Sequence, residues 1–204
     1  MNNIRVLYHS SIKIEDEKVI YFDPYNIKEN FNDADYIFIT HDHYDHYSPE
    51  DIDKVVNSDT VIFAPESLKE KLSEKNTVII NPNETYKDNH IEILAVPSYN
   101  IRKKFHPKEN GWNGYVVKLN NISYYIAGDT DFNDDIKNVK CDIAFVPVGG
   151  TYTMDYKEAA NLVNQIKPKI VVPTHYGEIV GEKQYAEKFK ELLLSELECS
   201  ILIK

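Results

Sequence analysis

Tyr36-Ile37-Phe38-Ile39-Thr40-His41-Asp42-His43-Tyr44-Asp45-His46 is the stretch from which the rest of the chain is read. An apolar run of strand character leads straight into His41, His43, Asp45 and His46, four strong metal donors within six residues. Side chains repeat every 3.6 residues in a helix and every 2 in a strand, so neither element alone aims all four at one centre. A strand that ends and turns divides them. His41 and His43 share a side of an extended segment and suit one ion, while Asp45 and His46, past the bend, suit a second. Imidazole with carboxylate is the ligand mix expected of Zn²⁺, with Mn²⁺ or Fe as alternatives. The competing reading is a His-rich surface loop. Three of the chain's 7 histidines fall in this one stretch, which favours the metal.

The flanking sequence supplies a scaffold. Residues 4–7, 11–14 and 19–22 read as a strand meander, and 35–40 as the strand that carries the donor loop. Ser48-Pro49-Glu50-Asp51 has the order of a helix start: Ser as N-cap, Pro at the first position, acids in the first turn. Strands follow at 60–64, 78–80, 84–86 and 90–96, with a second helix expected over 65–75. Residues 97–114 lack periodicity, and a loop of that length in a compact domain has a function or is disordered. A hairpin over 115–119 and 123–127, a strand at 143–148 and a helix capped by Asp155 come next. A strand at 170–172, an amphipathic helix over 183–197 and a closing strand at 200–203 finish the chain. The pattern fits a single α/β domain over residues 1–204, two sheets flanked by helices.

Two further donors each follow an apolar strand. Asp129 lies in Gly128-Asp129-Thr130, after Tyr124-Tyr125-Ile126-Ala127, and His175 lies in Pro173-Thr174-His175-Tyr176-Gly177, after Ile170-Val171-Val172. Taken singly, an Asp beside Gly is more often a turn former and a His after a strand more often structural. Their joint occurrence with the first motif shifts both readings toward ligation. His9, alone near a strand end, reads as a hydrogen-bonded structural histidine, and His90 as a surface or cross-strand residue.

His41-Asp42-His43-Tyr44-Asp45-His46 matches the H-x-H-x-D-H motif of the metallo-β-lactamase superfamily, and the order of Asp129 and His175 extends the resemblance over nearly the whole chain. Ala127-Gly128-Asp129-Thr130-Asp131 and Pro147-Val148-Gly149-Gly150-Thr151-Tyr152-Thr153-Met154 make it most similar to the compact branch of ascorbate-6-phosphate lactonase-like and phospholipase-D-like members. The resemblance implies a four-layer αββα sandwich of two mixed sheets. It also implies that Asp129 bridges two ions and that His175 completes the second site. The superfamily's third motif carries a His where this chain reads Pro97-Ser98-Tyr99-Asn100, and His106 on the same loop is the nearest replacement. The implied activity is that of a metal-dependent hydrolase with two divalent ions, zinc foremost, activating water against an ester, lactone or phosphodiester. Asp45 and Asp129 are its catalytic carboxylates. Tyr99, Arg102, Trp112, Tyr152 and Tyr176 are candidates for a substrate wall, with Arg102 or Lys104 meeting an anionic group. They read equally well as half-buried packing residues. A di-iron redox protein and a non-catalytic metal-binding module are the alternatives on the same ligand set.

Composition narrows the partners. Lys plus Arg number 23 against 33 Asp plus Glu, a net charge of −10, which disfavours a nucleic-acid backbone and leaves a small molecule as the expected substrate. Cys141 and Cys199 read as reduced, partly buried thiols of a cytoplasmic protein. Met1-Asn2-Asn3-Ile4-Arg5 shows no secretory leader, and no apolar run approaches the length that spans a bilayer.

Overall fold

Two mixed sheets, each begun by an antiparallel meander and finished by parallel strands, make up the scaffold of the computed structural model, which describes residues 3 to 203. The first sheet runs in sequence order through β1 (Ile4–Tyr8), β2 (Ser11–Glu15), β3 (Val19–Phe22), β4 (Tyr36–Phe38), β5 (Val61–Ala64) and β6 (Thr77–Ile79). The second also keeps sequence order: β7 (Thr85–Lys87), β8 (Ile91–Pro97), β9 (Asn113–Leu119), β10 (Ile122–Ile126), β11 (Ile143–Pro147), β12 (Ile170–Thr174) and β13 (Glu198–Cys199). β1 to β3 pair antiparallel and β3 to β6 parallel; β7 to β10 pair antiparallel and β10 to β13 parallel.

Strand alternation explains the layers. Ile12, Ile14, Ile20, Phe22 and Phe38 of the first sheet pack against Ile93, Tyr115, Val117, Tyr124 and Phe145 of the second, forming a core between the sheets. The other face of the first sheet, with Tyr21, Ile37 and Ile62, is covered by Ile52 and Val55 of helix α1 (Pro49–Val55). The other face of the second sheet, with Tyr125, Ala144, Val146 and Val171, is covered by α2 (Tyr156–Ile166) and α3 (Tyr185–Glu191). The result is the αββα sandwich. Ser48 caps α1 by accepting from the Asp51 amide, and Asp155 with Glu158 closes a reciprocal capping box on α2.

Several sequence expectations are corrected at element ends. The helix expected over 65–75 is a single 3₁₀ turn, Glu66–Leu68, followed by turns. Its start has no side-chain cap, and beyond Pro65 only Leu68 and Leu72 are buried, too narrow a stripe to offset helix nucleation. The helix expected over 183–197 shortens to Tyr185–Glu191, where Ala186 and Phe189 are its buried residues. The closing strand lies at Glu198–Cys199 rather than 200–203. His90 sits exposed in the turn before β8, its amide donating to Asp88. Among the described residues no helix is long and apolar enough to cross a membrane.

Candidate metal centre

Strand direction gathers the donors. β1, β3 and β4 run the same way in the first sheet, as do β8, β10, β11 and β12 in the second, so their carboxyl ends define one rim. His9 follows β1, Asp23 follows β3, His41 follows β4, Asp129 follows β10 and His175 follows β12. Backbone ties fasten the two rims together: the Asn113 amide donates to the Thr40 carbonyl at 3.0 Å and the His175 amide to the His9 carbonyl at 3.1 Å. The chain turns off these strands sharply, with left-handed φ at His9 (51°), Asp23 (44°), Gly128 (65°) and His175 (57°). Such conformations are uncommon outside glycine and concentrate at functional sites. Gly149 at the end of β11 is required by close approach, since a Cβ there would fall 2.2 Å from the His175 carbonyl oxygen.

All seven predicted donors meet at this rim. Asp129 is central: its Oδ2 lies 3.1 Å from His175 Nε2, 3.2 Å from His106 Nε2 and 3.9 Å from His41 Nε2, and its Oδ1 lies 3.3 Å from His46 Nε2. Asp45 Oδ2 lies 3.9 Å from both His46 Nε2 and His175 Nε2. Three donor groups have ligand atoms within 4.8 Å of one another: His41, His43 and His106; His41, His46 and Asp129; and His9, Asp45 and His175. The last contains a histidine that the sequence reading assigned to structure. His9 is fully buried, with its ring beside that of His175. The signal that could have found it is its position at the carboxyl end of a strand of the same sheet as His41.

The far nitrogens of three rings are tied down, which fixes their tautomers. Thr40 Oγ1 donates to Asp23 Oδ2 at 2.7 Å and therefore accepts from His41 Nδ1 at 2.9 Å. His46 Nδ1 donates to Asp23 Oδ2 at 2.7 Å, and His106 Nδ1 to Asn100 Oδ1 at 3.0 Å. Each ring thus turns its Nε2 inward, the arrangement by which outer groups orient metal-ligating histidines. The Asn100–His106 turn is self-closing: the Asn100 amide donates to the His106 carbonyl at 2.7 Å, and Asn100 Nδ2 donates to Asp131 Oδ1 at 3.1 Å. That closure holds His106 Nε2 3.2 Å from Asp129 Oδ2, within reach of His41 and His43.

The residues fit a cation. The Nε2 atoms of His9, His41, His46, His106 and His175 and the Asp129 Oδ1 are buried without a hydrogen-bond partner, a costly arrangement unless something positive bonds to them. Burial and the neighbouring imidazoles hold His41 well below the ordinary histidine range, and His43 is lowered for the same reasons. Burial resists charging of His46, but Asp129 and Asp23 outweigh it and push the ring well above its ordinary value. Asp129 is held well below the carboxylate range: burial opposes ionisation, and His175, His46 and His106 overcome it. Asp45 likewise falls to about 2 against its own burial, through His9 and His46.

A cavity of about 270 Å³ opens beside the donors, lined by His43, Tyr44, Asp45, Phe105, His106, Asp129, Tyr152 and Ile179. Phe105 and Tyr152 meet edge to face at 4.6 Å. Tyr152 is the one expected wall residue that reaches it. Trp112 is buried behind the first histidines, its ring 5.0 Å from His41 and 4.9 Å from His43, with Nε1 donating to Ser67. Tyr99 is buried with its hydroxyl on Asp135, and Tyr176 is buried in the core beneath α2 and α3. Arg102 is exposed and off the lining, as is Lys104. The expected wall is corrected accordingly: those aromatics satisfy the core, and Tyr44, Phe105 and Ile179 supply the surface from loop positions that carry no periodic signal.

A two-sheet αββα sandwich with His and Asp donors gathered on one rim defines a class, and comparison with known proteins agrees. The profile of the beta-lactamase superfamily domain matches residues 3–175, so the chain belongs to that superfamily. Within it the chain is a metal-dependent hydrolase, similar to the UPF0173 metal-dependent hydrolase of Pyrococcus horikoshii, with 32% identity over 99% of this chain and 96% of the relative. A crystal structure of a protein from Parabacteroides distasonis aligns with TM-score 0.84 and 33% identity, covering 98% of this chain and 91% of that one. Igni18, a metallo hydrolase from Ignicoccus hospitalis, shares the fold at TM-score 0.77 and 21% identity, over 98% and 95% of the two chains.

Proposed function

We propose that the protein is a dinuclear hydrolase acting on small, uncharged esters or lactones. His41, His43 and His106 hold one divalent cation and Asp45, His46 and His175 the other, with Asp129 shared; zinc is the first choice of metal. The observation that carries the reading is the convergence of buried, partnerless Nε2 atoms and Asp129 Oδ1 on one point of the rim. When bound, such a pair of cations supplies Lewis acidity that lowers the pKa of water and polarises a carbonyl oxygen.

The chain's own residues do the rest. Asp129, low in pKa and buried, remains a carboxylate and keeps the two donor sets at a fixed separation. Asp45 reaches the cavity as an ionised acceptor and orients an attacking water by hydrogen bonding. Phe105, Tyr152, Tyr44 and Ile179 give the substrate's non-reacting part an apolar seat and exclude water from it. No Lys or Arg belongs to the described lining, which favours an uncharged substrate over a phosphodiester. The net charge of −10 argues in the same direction against nucleic acid.

The test is an assay of the metal-reconstituted chain against p-nitrophenyl esters of increasing acyl length, a set of lactones, and bis-p-nitrophenyl phosphate. Ester or lactone turnover that improves with apolar length is expected. Turnover confined to the phosphodiester, or no hydrolysis by a chain carrying its full metal complement, rejects the proposal.

A further inference from the structure

His9 combines features that are each unfavourable without a role. Its ring is fully buried and neither nitrogen has a hydrogen-bond partner. Its backbone holds a left-handed φ of 51° that a non-glycine residue seldom adopts. That conformation is locked by the His175 amide, which donates to the His9 carbonyl. The effect is to lay the His9 ring beside that of His175, with centroids 3.9 Å apart, and to bring His9 Nε2 to 3.5 Å from Asp45 Oδ2.

We propose that His9 is itself a ligand of the second cation, donating through Nε2 next to Asp45 and His175. The inference rests on the dinuclear reading above and extends it. Donor atoms of His9, Asp45 and His175 lie within 4.8 Å of one another, as do those of His41, His43 and His106. A cation among them satisfies the buried Nε2 of His9 and accounts for the strained turn that places it. The second half then offers five protein donors, His9, Asp45, His46, His175 and the shared Asp129. The first offers four, His41, His43, His106 and Asp129. Four donors suit tetrahedral zinc, whereas five exceed a tetrahedral set and shift the choice for the second position from zinc toward Mn²⁺ or Fe²⁺. The rival role for His9 is positioning: an Nε2–H that merely steadies Asp45.

Chelator-stripped full-length chain is titrated with Co²⁺ against a competing chelator, recording ions bound per chain and the visible spectrum of each addition. Wild type, His9→Ala and His9→Gln are compared, with circular dichroism of the stripped proteins as the folding control. Gln keeps an amide N–H for Asp45 but is a poor replacement for imidazole. Both variants are expected to weaken the second Co²⁺ by about 100-fold or more while leaving the first unchanged, and to remove the weak bands of a high-coordination ion. If Ala disrupts folding, His9→Asn, which tolerates the left-handed backbone, is scored in its place. Unchanged affinity in the variants, or full recovery by Gln, overturns ligation by His9. A wild type that binds a single Co²⁺ overturns the dinuclear reading itself, an outcome visible before any variant is measured.

Discussion

The two halves of the proposed centre are built by opposite means. One half comes from a single loop plus one insertion: His41 and His43 leave β4 together, and His106 arrives on a turn that Asn100 closes from within. The other half is assembled from segments far apart in the chain, with His9, Asp45 and His175 brought together by strand order and by left-handed turns at His9 and His175. His41 and His106 of the first half, and His46 of the second, are oriented by side-chain hydrogen bonds to Nδ1, whereas His9 and His175 are placed by backbone. Where hydrogen bonds orient the rings, single substitutions should act on one half; where backbone does so, the fold itself is the orienting device.

Asp129 is the point at which the difference vanishes, so its removal should have the largest effect. Asp129→Ala is expected to abolish stoichiometric binding of both ions and to lower turnover by about 1000-fold or more, read by metal analysis and the ester assay. Two tightly bound ions with retained turnover would remove Asp129 from the shared position. Asn100→Ala separates the halves. It frees His106 Nδ1 and removes the side-chain part of the turn's closure, so affinity for one ion should fall about 10- to 100-fold while the other is unchanged. A chelator competition in which both ions weaken equally would show that the halves are not independent.

The same contrast explains what was legible in the sequence. His41, His43, Asp45 and His46 are contiguous and follow an apolar strand, so their gathering at the end of β4 could be read from the motif itself. Asp129 and His175 were legible because each follows a strand run and matches a family order. His106 was legible only as the nearest histidine to a vacant motif position. The closure by Asn100 and Asp131 that justifies it is tertiary. The placement of His9 was not legible because its neighbours in the chain say nothing of the parallel relation between β1, β3 and β4, which carries its end to the rim. The aromatics stayed open between two readings for a related reason: Tyr99, Trp112 and Tyr176 flank the right segments, but burial is decided by packing between layers. The two sheets were legible from alternation and turn residues. The short 3₁₀ turn at Glu66–Leu68 was not, because helical spacing of two leucines does not reveal how narrow the buried stripe is.

Protonation sharpens the comparison next. In the cation-free chain His46 keeps its proton between Asp23 and Asp129, while His41, His43 and His9 are shifted down, His9 to about 4. At neutral pH those three imidazoles are already neutral and release nothing when an ion binds, whereas His46 must lose its proton. Metal uptake should therefore release protons, and affinity should rise with pH until His46 is neutral in the free chain. The second half, which holds His46, should carry more of this dependence than the first. Calorimetric titrations in buffers of different ionisation enthalpy measure the release, and a value of zero would show that His46 is neutral before the metal arrives.

The smallest effect belongs to the cavity wall, which touches neither half's orienting bonds. Phe105 stands against Tyr152 at the cavity, about half exposed, with no hydrogen bond to the donors. Phe105→Ala removes an apolar contact made equally with bound ester and with its transition state, so KM should rise while kcat and metal content stay near wild type. Because the ring is 48% exposed, the loss is a fraction of a fully buried phenyl group, about 1 kcal/mol or a fivefold rise in KM. The effect should grow with acyl length and disappear for an acetyl ester, which is too short to reach the ring. A kcat loss that is independent of acyl length would instead place Phe105 in the support of His106, one residue away, and would move it from the substrate's surroundings into the first half of the centre.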